Sequence, residues 1–207
     1  MAHQPAHDVA VVGASIAGSA AAIHFAQKGA KVALIERDPN PGAYKKLCTH
    51  FIQASATPAI ERLGLADKIE AAGGLRNDFV GYTRWGRIRA PSQQTIKQPA
   101  YGYSIRREKL DPMLRKMAAA TPGVDFIPGF SAHELLVSKG RICGAVIHGA
   151  GGAVRKIQAR LTVGADGRNS RVAEVAGLTA KEKPQGRIGY FAHYRDLALK
   201  TGNRGQM

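Results

Sequence analysis

A strand, a helix and a second strand follow one another near the start of the chain, and this order constrains the fold most. The apolar runs Asp8–Val12 and Lys31–Glu36 are typical of buried parallel strands. Between them, the alanine-rich segment Ile16–Lys28 predicts a helix, and Gly29 suits its C-terminus. A unit of this length folds as two parallel strands with a right-handed crossover. The sequence therefore predicts an α/β protein.

The turn between the first strand and the helix, GASIAG, comes close to the G-x-G-x-x-G pattern of a dinucleotide-binding turn. In that pattern, Gly13 makes the bend and Gly18 lets the helix pack on the strand. Ser15 stands in the middle glycine position, and its hydroxyl can donate to a phosphate oxygen. The N–H groups at the helix start, those of Ile16 and Ala17 among them, attract negative charge together with the helix dipole. The turn therefore predicts a pyrophosphate site.

An acidic residue follows at the end of the second strand. Glu36 can accept hydrogen bonds there from both ribose hydroxyls of an adenosine. Taken alone, Glu36 and Arg37 are equally typical of an exposed ion pair at a loop edge. Their position directly after a strand–helix–strand unit favours the nucleotide-binding interpretation.

The same turn also approaches G-x-S-x-G, which presents the nucleophile of many hydrolases. Ser15, Asp166 and His193 occur in the chain order of such a triad. A nucleophile elbow, however, normally follows several strands that have already built an oxyanion loop, whereas Ser15 follows the first strand. We therefore interpret Ser15 as a neighbour of phosphate.

The rest of the chain continues the mixture of helices and strands. Strands are predicted between Arg76 and Ile105, in the segment VDFI, in a three-stranded meander that ends at Asp166, and over Gly186–Tyr194. Helices are predicted over Ser55–Leu63, Leu65–Ala72, Glu108–Ala120 and Asn169–Ala176. Several strands thus lie outside the opening unit.

Composition narrows the function classes. The net charge of +15 is spread along the chain and favours anionic ligands, but no nucleic-acid module is recognisable. The longest uncharged run is too short to span a bilayer, and the N-terminus lacks the order of a signal peptide. Two cysteines do not make a disulfide framework, so we expect a cytoplasmic protein.

Cys48 and His50 follow the second strand on a loop and are candidates for a site. Cys48 is either a reactive thiol or, more commonly, a small packing residue. His50 is either a residue that positions a ligand or a hydrogen-bonded loop residue. Their C-x-H spacing leaves half of a tetrahedral metal site empty, so no metal is predicted.

With these segments in place, the chain resembles the FAD-dependent monooxygenases of the aromatic-hydroxylase fold, with their geranylgeranyl reductase and flavin halogenase relatives. The resemblance rests on three segments in order: DVAVVGASIAG with VALIER, then IRREKLDPML, then LTVGADGRNSRVAEVAG. In the second segment Arg107, Leu110 and Leu114 match the family's R-x-x-L-x-x-x-L helix start. The final arginine of the family's G-A-D-G-x-x-S-x-V-R element is not kept.

The resemblance implies that FAD is the cofactor and NAD(P)H the electron donor. Its cofactor-binding positions correspond here to Gly13, Ser15, Ile16, Ala17, Gly18, Glu36, Arg37, Arg107, Asp166 and Gly167. Arg107 would reach the flavin or pyrophosphate region, although by itself it is more typical of a residue on a surface helix. Asp166 would lie near the pyrophosphate, although an Asp-Gly pair is also an ordinary turn. No catalytic side chain is assigned, because the flavin carries the chemistry.

The resemblance also implies a division of the chain. Residues 1–75 and 106–185 correspond to a Rossmann-like FAD-binding domain with a β-meander, and residues 76–105 and 186–207 to the start of a substrate-covering sheet. The family's downstream G-D-A motif is not found, so we expect a truncated chain or one product of a split gene.

The expected function is an NAD(P)H-dependent monooxygenase acting on a small aromatic or polyketide-like substrate. A geranylgeranyl-reductase-like ene-reductase stays open as an alternative. So does a non-catalytic nucleotide-binding remnant, or one chain of a split enzyme. Expected partners are therefore a small-molecule substrate and either a complementing chain or a second copy, with no nucleic acid and no integral membrane association.

Overall fold

The computed structural model describes residues 6–77, 79–89, 101–178, 184–186, 188 and 205–206. Their elements, in chain order, are β1 (His7–Val12), α1 (Ile16–Gln27), β2 (Val32–Glu36), β3 (Phe51–Ile52), α2 (Thr57–Arg62), α3 (Ala66–Ala71), β4 (Leu75–Asn77), β5 (Phe79–Thr83), β6 (Gly86–Arg89), β7 (Gly102–Ser104), α4 (Arg107–Ala119), β8 (Val124–Pro128), β9 (Phe130–Ser138), β10 (Arg141–Gly149), β11 (Val154–Gly164), α5 (Arg171–Val175) and β12 (Gly205–Gln206). Short 3₁₀ helices cover Ala54–Ala56 and Ala150–Gly152.

Two compact units divide the chain. The first consists of Met1–Cys48 and Arg107–Thr179, and the second of Thr49–Arg106 and Ala180–Met207. In the first unit, six of the described strands form one sheet in the order β8-β2-β1-β11-β10-β9. β8, β2, β1 and the end of β11 run parallel, whereas β9 and β10 join antiparallel. The predicted α/β fold with a parallel sheet and a meander is therefore confirmed.

The opening strand–helix–strand unit has the predicted order and nearly the predicted bounds. The middle strand β1 pairs with β2 on one side and with β11 on the other, so Val9 lies beside both Val32 and Leu161. Gly29 has a φ of +85° directly after the C-cap of α1, which a glycine adopts without steric cost. The local pattern was therefore sufficient to define this unit.

α4 packs against α1 and carries polar side chains into the protein interior. Leu110 and Leu114, one turn apart on its buried face, are 3% and 2% exposed. Arg107, Asp111 and Arg115 are also buried on this helix. Charged residues are seldom buried unless they are paired, so each of these three side chains is expected to have hydrogen-bond partners in the interior.

The meander β9–β10–β11 forms one side of the six-stranded sheet and supplies much of the core. Ala145, Ile147, Ile157 and Ala159 of the meander pack in one apolar cluster with residues of β1 and β2. β11 is long enough to pair with β10 through its first half and with β1 through its second half. β11 is followed by α5, whose Val172 packs in the same apolar cluster.

The second unit contains two small sheets. β3, β7 and β4 form one sheet, in which Tyr103 of β7 is fully buried, and β12, β5 and β6 form the other. His50 lies here with a φ of +60°, and its carbonyl accepts a hydrogen bond from the Ile105 amide at 3.0 Å. The predicted strand Gly186–Tyr194 lies almost entirely outside the described residues. Among those described, no helix combines the length and the apolar character needed to cross a bilayer.

Candidate functional site: a cleft at the carboxyl ends of the parallel strands

A cleft of about 250 Å³ opens in the first unit where β1, β2 and β11 end. Open α/β sheets bind their ligands at this carboxyl edge. Six residues that the sequence predicts as cofactor-binding line the cleft: Gly13, Ser15, Glu36, Arg37, Asp166 and Gly167. They come from three strand ends, so the fold gathers residues that lie far apart in the chain.

Both glycines of the opening turn are required by close backbone contacts. Gly13 has a φ of +100°, and a Cβ there would lie 2.5 Å from the carbonyl oxygen of Ala165. A Cβ on Gly18 would overlap the carbonyl oxygen of Gly13. The first contact holds the turn against the end of β11, and the second brings α1 close to the turn. Backbone packing therefore requires glycine at both positions, whether or not a ligand also approaches the turn.

Glu36 braces the turn from the end of β2. Its Oε2 accepts a hydrogen bond from the Ala14 amide at 2.7 Å, and its Oε1 accepts one from the Asp38 amide at 3.0 Å. A carboxylate has about four acceptor positions, so two such bonds leave capacity for ribose hydroxyls. Glu36 thus combines a structural contact with an open acceptor face.

The hydroxyl of Ser15 lies beside an arginine that is 92 residues away in the chain. Nη2 of Arg107 donates to Oγ of Ser15 at 3.0 Å. The serine proton then remains able to donate to another acceptor, because the hydroxyl oxygen is used as the acceptor in this bond. The observed partner of Ser15 is a permanent cation, whereas a nucleophilic serine needs a neighbouring base. His193 of the hydrolase alternative lies outside the described residues.

Arg107 is held in place by Asp111, one helical turn further along α4. Nε of Arg107 donates to Oδ1 of Asp111 at 2.6 Å, and Nη2 donates to Oδ2 at 2.9 Å. Burial lowers the pKa of Arg107, but the hydrogen bonds and charge of Asp111 more than offset it, so the pKa is raised overall. The two parallel bonds fix the plane of the guanidinium, as a bidentate pair does.

Two more groups from the loop after β2 complete this arrangement. The Lys45 amide donates to Oδ2 of Asp111 at 3.0 Å, and Sγ of Cys48 lies 3.9 Å from Nη1 of Arg107. The loop is thereby attached to the helix that carries the arginine. Cys48 is half-buried, so it contacts the site without being sealed into the core.

Arg115 binds the opposite side of the same turn. Its Nε donates to the Ala14 carbonyl at 3.3 Å, and its Nη1 donates to the Pro41 carbonyl at 2.9 Å. The Ser19 hydroxyl donates to the Ala14 carbonyl as well, at 3.0 Å. Ala14 is thus held through its N–H by Glu36 and through its oxygen by Arg115 and Ser19, which makes the turn rigid.

Asp166 organises the loop that follows β11. Its Oδ1 accepts from the Ser170 hydroxyl at 2.6 Å, and its Oδ2 accepts from the Val172 amide at 3.1 Å. Ser170 in turn caps α5 by accepting from the Ala173 amide at 3.0 Å. The side chain of Asp166 therefore positions backbone in the cleft wall.

Sequence reasoning missed Asp111 and Arg115 and placed Ile16, Ala17 and Gly18 by pattern alone. Ile16 and Ala17 begin α1 with exposed side chains, while Gly18 is buried. The first N–H groups of a helix lack intrahelical acceptors and are available to an anion. For Asp111, the spacing of four residues from Arg107 was a usable signal. Arg115 offered none, because its partners lie in distant loops.

The site chemistry fits a dinucleotide that carries a pyrophosphate. The helix start, the Ser15 hydroxyl and the guanidinium of Arg107 offer donors to phosphate oxygens. Glu36 offers acceptor oxygens at the end of β2, which lies one interstrand spacing from the end of β1 where the turn begins. Acceptors for a ribose beside donors for phosphates are what an adenosine diphosphate group requires.

Residues 6–196 match the family described as the FAD binding domain. The chain belongs to this family. Over 186 residues it is 31% identical to digeranylgeranylglycerophospholipid reductase 2 of Methanothermobacter thermautotrophicus, covering 86% of this chain and 44% of that protein. It is also 32% identical, over 212 residues, to kynurenine 3-monooxygenase of Salinispora arenicola, covering 96% of this chain and 44% of that protein.

Solved structures support the same fold. The flavin-dependent monooxygenase PieE, determined in complex with FAD and substrate, aligns with a TM-score of 0.66 at 19% identity. The alignment covers 84% of this chain and 33% of PieE. The chain spans 44% of the length of each of the two curated relatives named above, and the family assignment concerns that part.

Proposed function

We propose that this chain binds FAD in the cleft of the first unit and serves an FAD-dependent oxidoreductase. The observation that carries the proposal is the bond between Arg107 and Ser15, which brings a fixed guanidinium to the start of α1. A structural arginine needs only Asp111, whereas this one also extends towards the predicted pyrophosphate position. Membership in the FAD binding domain family supports the choice of FAD over other dinucleotides.

In this proposal, the helix start of α1 and Ser15 bind the pyrophosphate and Glu36 binds the adenosine ribose. Arg107 balances the phosphate charge, and Arg37 at the cleft edge adds a second cation. Asp166 orients the loop after β11 against the same phosphates. Bound FAD would supply the electron transfer that amino-acid side chains cannot perform. The chain itself would bind, orient and keep water from part of the cofactor.

We further propose an NAD(P)H-dependent monooxygenase that acts on a small organic substrate, aromatic or polyketide-like. Kynurenine 3-monooxygenase, matched over 96% of this chain, supports this class. The match to a digeranylgeranylglycerophospholipid reductase supports flavin-dependent alkene reduction as the second candidate. Both classes would use the same FAD-binding part.

Two further assignments follow from the proposal. Residues 1–75 and 106–185 would form the FAD-binding domain, and residues 76–105 and 186–207 would contribute to a substrate-covering sheet. A cytoplasmic location is supported by the two cysteines, Cys48 and Cys143, both of which are free thiols.

FAD titration of the purified protein, followed by flavin fluorescence and visible absorption, tests the proposal. We expect saturable binding that Glu36→Ala weakens about ten- to a hundredfold, since it removes charge-assisted hydrogen bonds. Glu134→Ala is the matched control, because Glu134 is exposed on β9 and does not line the cleft. Circular dichroism of each variant verifies that it is folded. Tight NAD binding without uptake of FAD, or equal affinities for the two variants, would contradict the proposal.

A separate activity assay identifies the electron donor and the type of reaction. With FAD in excess, NADH and NADPH oxidation is measured with and without candidate aromatic substrates. Oxidation that a substrate stimulates, with oxygen consumed and oxygenated substrate formed in equal amounts, supports the monooxygenase. Reduction of an added geranylgeranyl lipid without oxygen consumption would favour the reductase instead.

A further inference from the structure

The long strand β11 changes its partner half-way along, and this leaves a gap in the sheet. β10 and β11 pair antiparallel up to Gly144 opposite Gln158. From Ala159 onward, β11 pairs with β1 on its other side. Beyond Gly144, towards its start, β10 pairs only with β9, through Ile142 with Val137 and Arg141 with Ser138. The two strands therefore separate at this point.

We call this gap the fork and define it by residues 141–143 of β10 and 159–163 of β11. Among the described residues, no strand pairs with the inner edge of either segment. A cleft of about 610 Å³ is lined by residues of both segments, together with Asp8 and Val9 of β1 and Ser138 of β9. Unpaired N–H and C=O groups along a strand edge are a template for a further strand.

The side chains of the fork combine positive charge with exposed apolar surface. β10 contributes Arg141 followed by Ile142, and β11 contributes Arg160 followed by Leu161. Ile142 is 38% and Leu161 46% exposed, although both belong to central strands of a sheet. Large aliphatic side chains that stay exposed beside unpaired backbone indicate a surface that a partner covers.

The charges decide which kind of partner fits. A second copy pairing edge to edge would bring its own arginines against Arg141 and Arg160, and charged side chains at an edge oppose such pairing. The net charge of +15 adds long-range repulsion between copies. A segment that carries carboxylates would instead be attracted by the same field.

One acidic residue that lines the same cleft, Asp8 of β1, is already engaged. Asp8 accepts from the Lys31 amide at 2.9 Å and lies 3.6 Å from Arg160. The Lys31 amide is the main reason that the pKa of Asp8 is lowered, with Arg160 adding to the effect. Cys143 is engaged as well, since its Sγ donates to the Leu136 carbonyl at 3.5 Å. At 3.6 Å from Asp8 and with 76% of its side chain exposed, Arg160 stays accessible to a further carboxylate, as does the exposed Arg141.

We propose that the fork binds an extended acidic peptide segment by strand addition, with carboxylates near Arg141 and Arg160 and aliphatic side chains on Ile142 and Leu161. The five residues of the β11 edge span about 17 Å, enough for a strand of five or six residues. The site lies apart from the FAD cleft and does not depend on the proposed cofactor.

Fluorescence anisotropy with a labelled peptide, acetyl-Glu-Val-Glu-Val-Glu-Val-amide, tests this proposal on the whole chain. We expect saturable binding that Arg160→Glu weakens about fivefold or more, because an attraction becomes a repulsion. Arg141→Glu provides a second variant if Arg160→Glu folds poorly. Lys156→Glu is the matched control, because Lys156 is exposed on the same strand but does not line the fork.

Two altered peptides separate strand addition from plain charge attraction. A peptide with alternate backbone nitrogens methylated keeps its carboxylates but loses the donors of one edge, and we expect it not to bind. The lysine counterpart, acetyl-Lys-Val-Lys-Val-Lys-Val-amide, should fail to bind as well. The proposal is overturned if the methylated peptide binds equally, if Lys156→Glu weakens binding as much as Arg160→Glu, or if no peptide binds.

Discussion

Two arginine–carboxylate pairs in this protein have the same short contact but different surroundings. In the first unit, Nε of Arg107 lies 2.6 Å from Oδ1 of Asp111, and both side chains are at least 90% buried. In the second unit, Nε of Arg76 lies 2.6 Å from Oε1 of Glu70, with 55% and 37% of the side chains exposed. Equal distances therefore do not imply equal contributions, because water screens the second pair.

The neighbours of each pair show what it does. Arg107 and Asp111 also bind Ser15 and the Lys45 amide, so the buried pair joins α4 to the cleft and to the loop after β2. Glu70 accepts from Arg76 and from the hydroxyl of Tyr103 at 3.0 Å, within one small sheet and its adjacent helix. The buried pair organises a site, whereas the exposed pair fastens a local surface.

The largest expected effect comes from leaving one buried charge without its partner. Asp111→Ala should lower the free energy of unfolding by about 3–5 kcal/mol, because Arg107 would remain buried and uncompensated. Glu70→Ala should have a much smaller effect, since Arg76 can turn to water. Urea denaturation of both variants measures the difference. Equal losses of unfolding free energy in the two variants would contradict the conclusion that water screens the exposed pair.

A smaller effect is expected when the positive charge at position 107 is kept but the planar guanidinium is lost. Arg107→Lys should cost about 1–2 kcal/mol in stability, because a lysine cannot bond Asp111 twice and reach Ser15 as well. FAD affinity should fall about tenfold with it, by the same loss of about one charged hydrogen bond. Arg76→Lys is the control, and its FAD titration should match that of the unmodified protein.

The smallest effect is expected for the titration of Tyr103, whose hydroxyl donates to Glu70 of the exposed pair. Burial, and then the hydrogen bond to Glu70, raises the pKa of Tyr103 from 10.0 to about 12. Since the folded pKa is raised, the stabilising contribution of Tyr103 is complete below pH 10 and is lost as pH rises towards about 12. Absorbance at tyrosinate wavelengths should show one late titration, which Glu70→Gln shifts downward but not to the ordinary value.

Glu70 gives the opposite sign in acid. The hydrogen bond from Arg76, then that from Tyr103, lowers the pKa of Glu70 below its usual 4.5. Its contribution is therefore present above that value and is lost as pH falls through the lowered pKa. Glu70→Gln should make the acid limb of the stability curve slightly less steep, and an NMR titration that gives Glu70 its usual pKa would refute the assignment.

Much of the fold followed from local patterns. The apolar runs of β1 and β2, the alanine-rich α1 and Gly29 predict the opening unit within a residue or two at each boundary. The spacing of Gly13 and Gly18 predicts a tight turn, and the structure adds that each glycine avoids a backbone collision. The cofactor roles of the cleft residues stay predictions, because they depend on a ligand and not on spacing.

Less of the candidate site could be predicted. Arg115 looks like an ordinary charged position of an exposed helix, and only its burial against the turn shows otherwise. Asp111 differs in its spacing of four residues from Arg107, which allows a pair on one helix face but does not reveal that the pair is buried. Helical periodicity identifies which face of α4 is apolar, but not that three charged side chains share that face.

The sequence alone determined that a strand, a phosphate-type turn, a helix and a second strand stand at the start of this protein, because these signals act over a few residues. Tertiary structure decided that Arg107 reaches Ser15 and that Glu36 braces Ala14. It also decided that β11 leaves β10 for β1 and opens the fork. These contacts join residues far apart in the chain, so they exist only where packing brings strand ends and helix faces together.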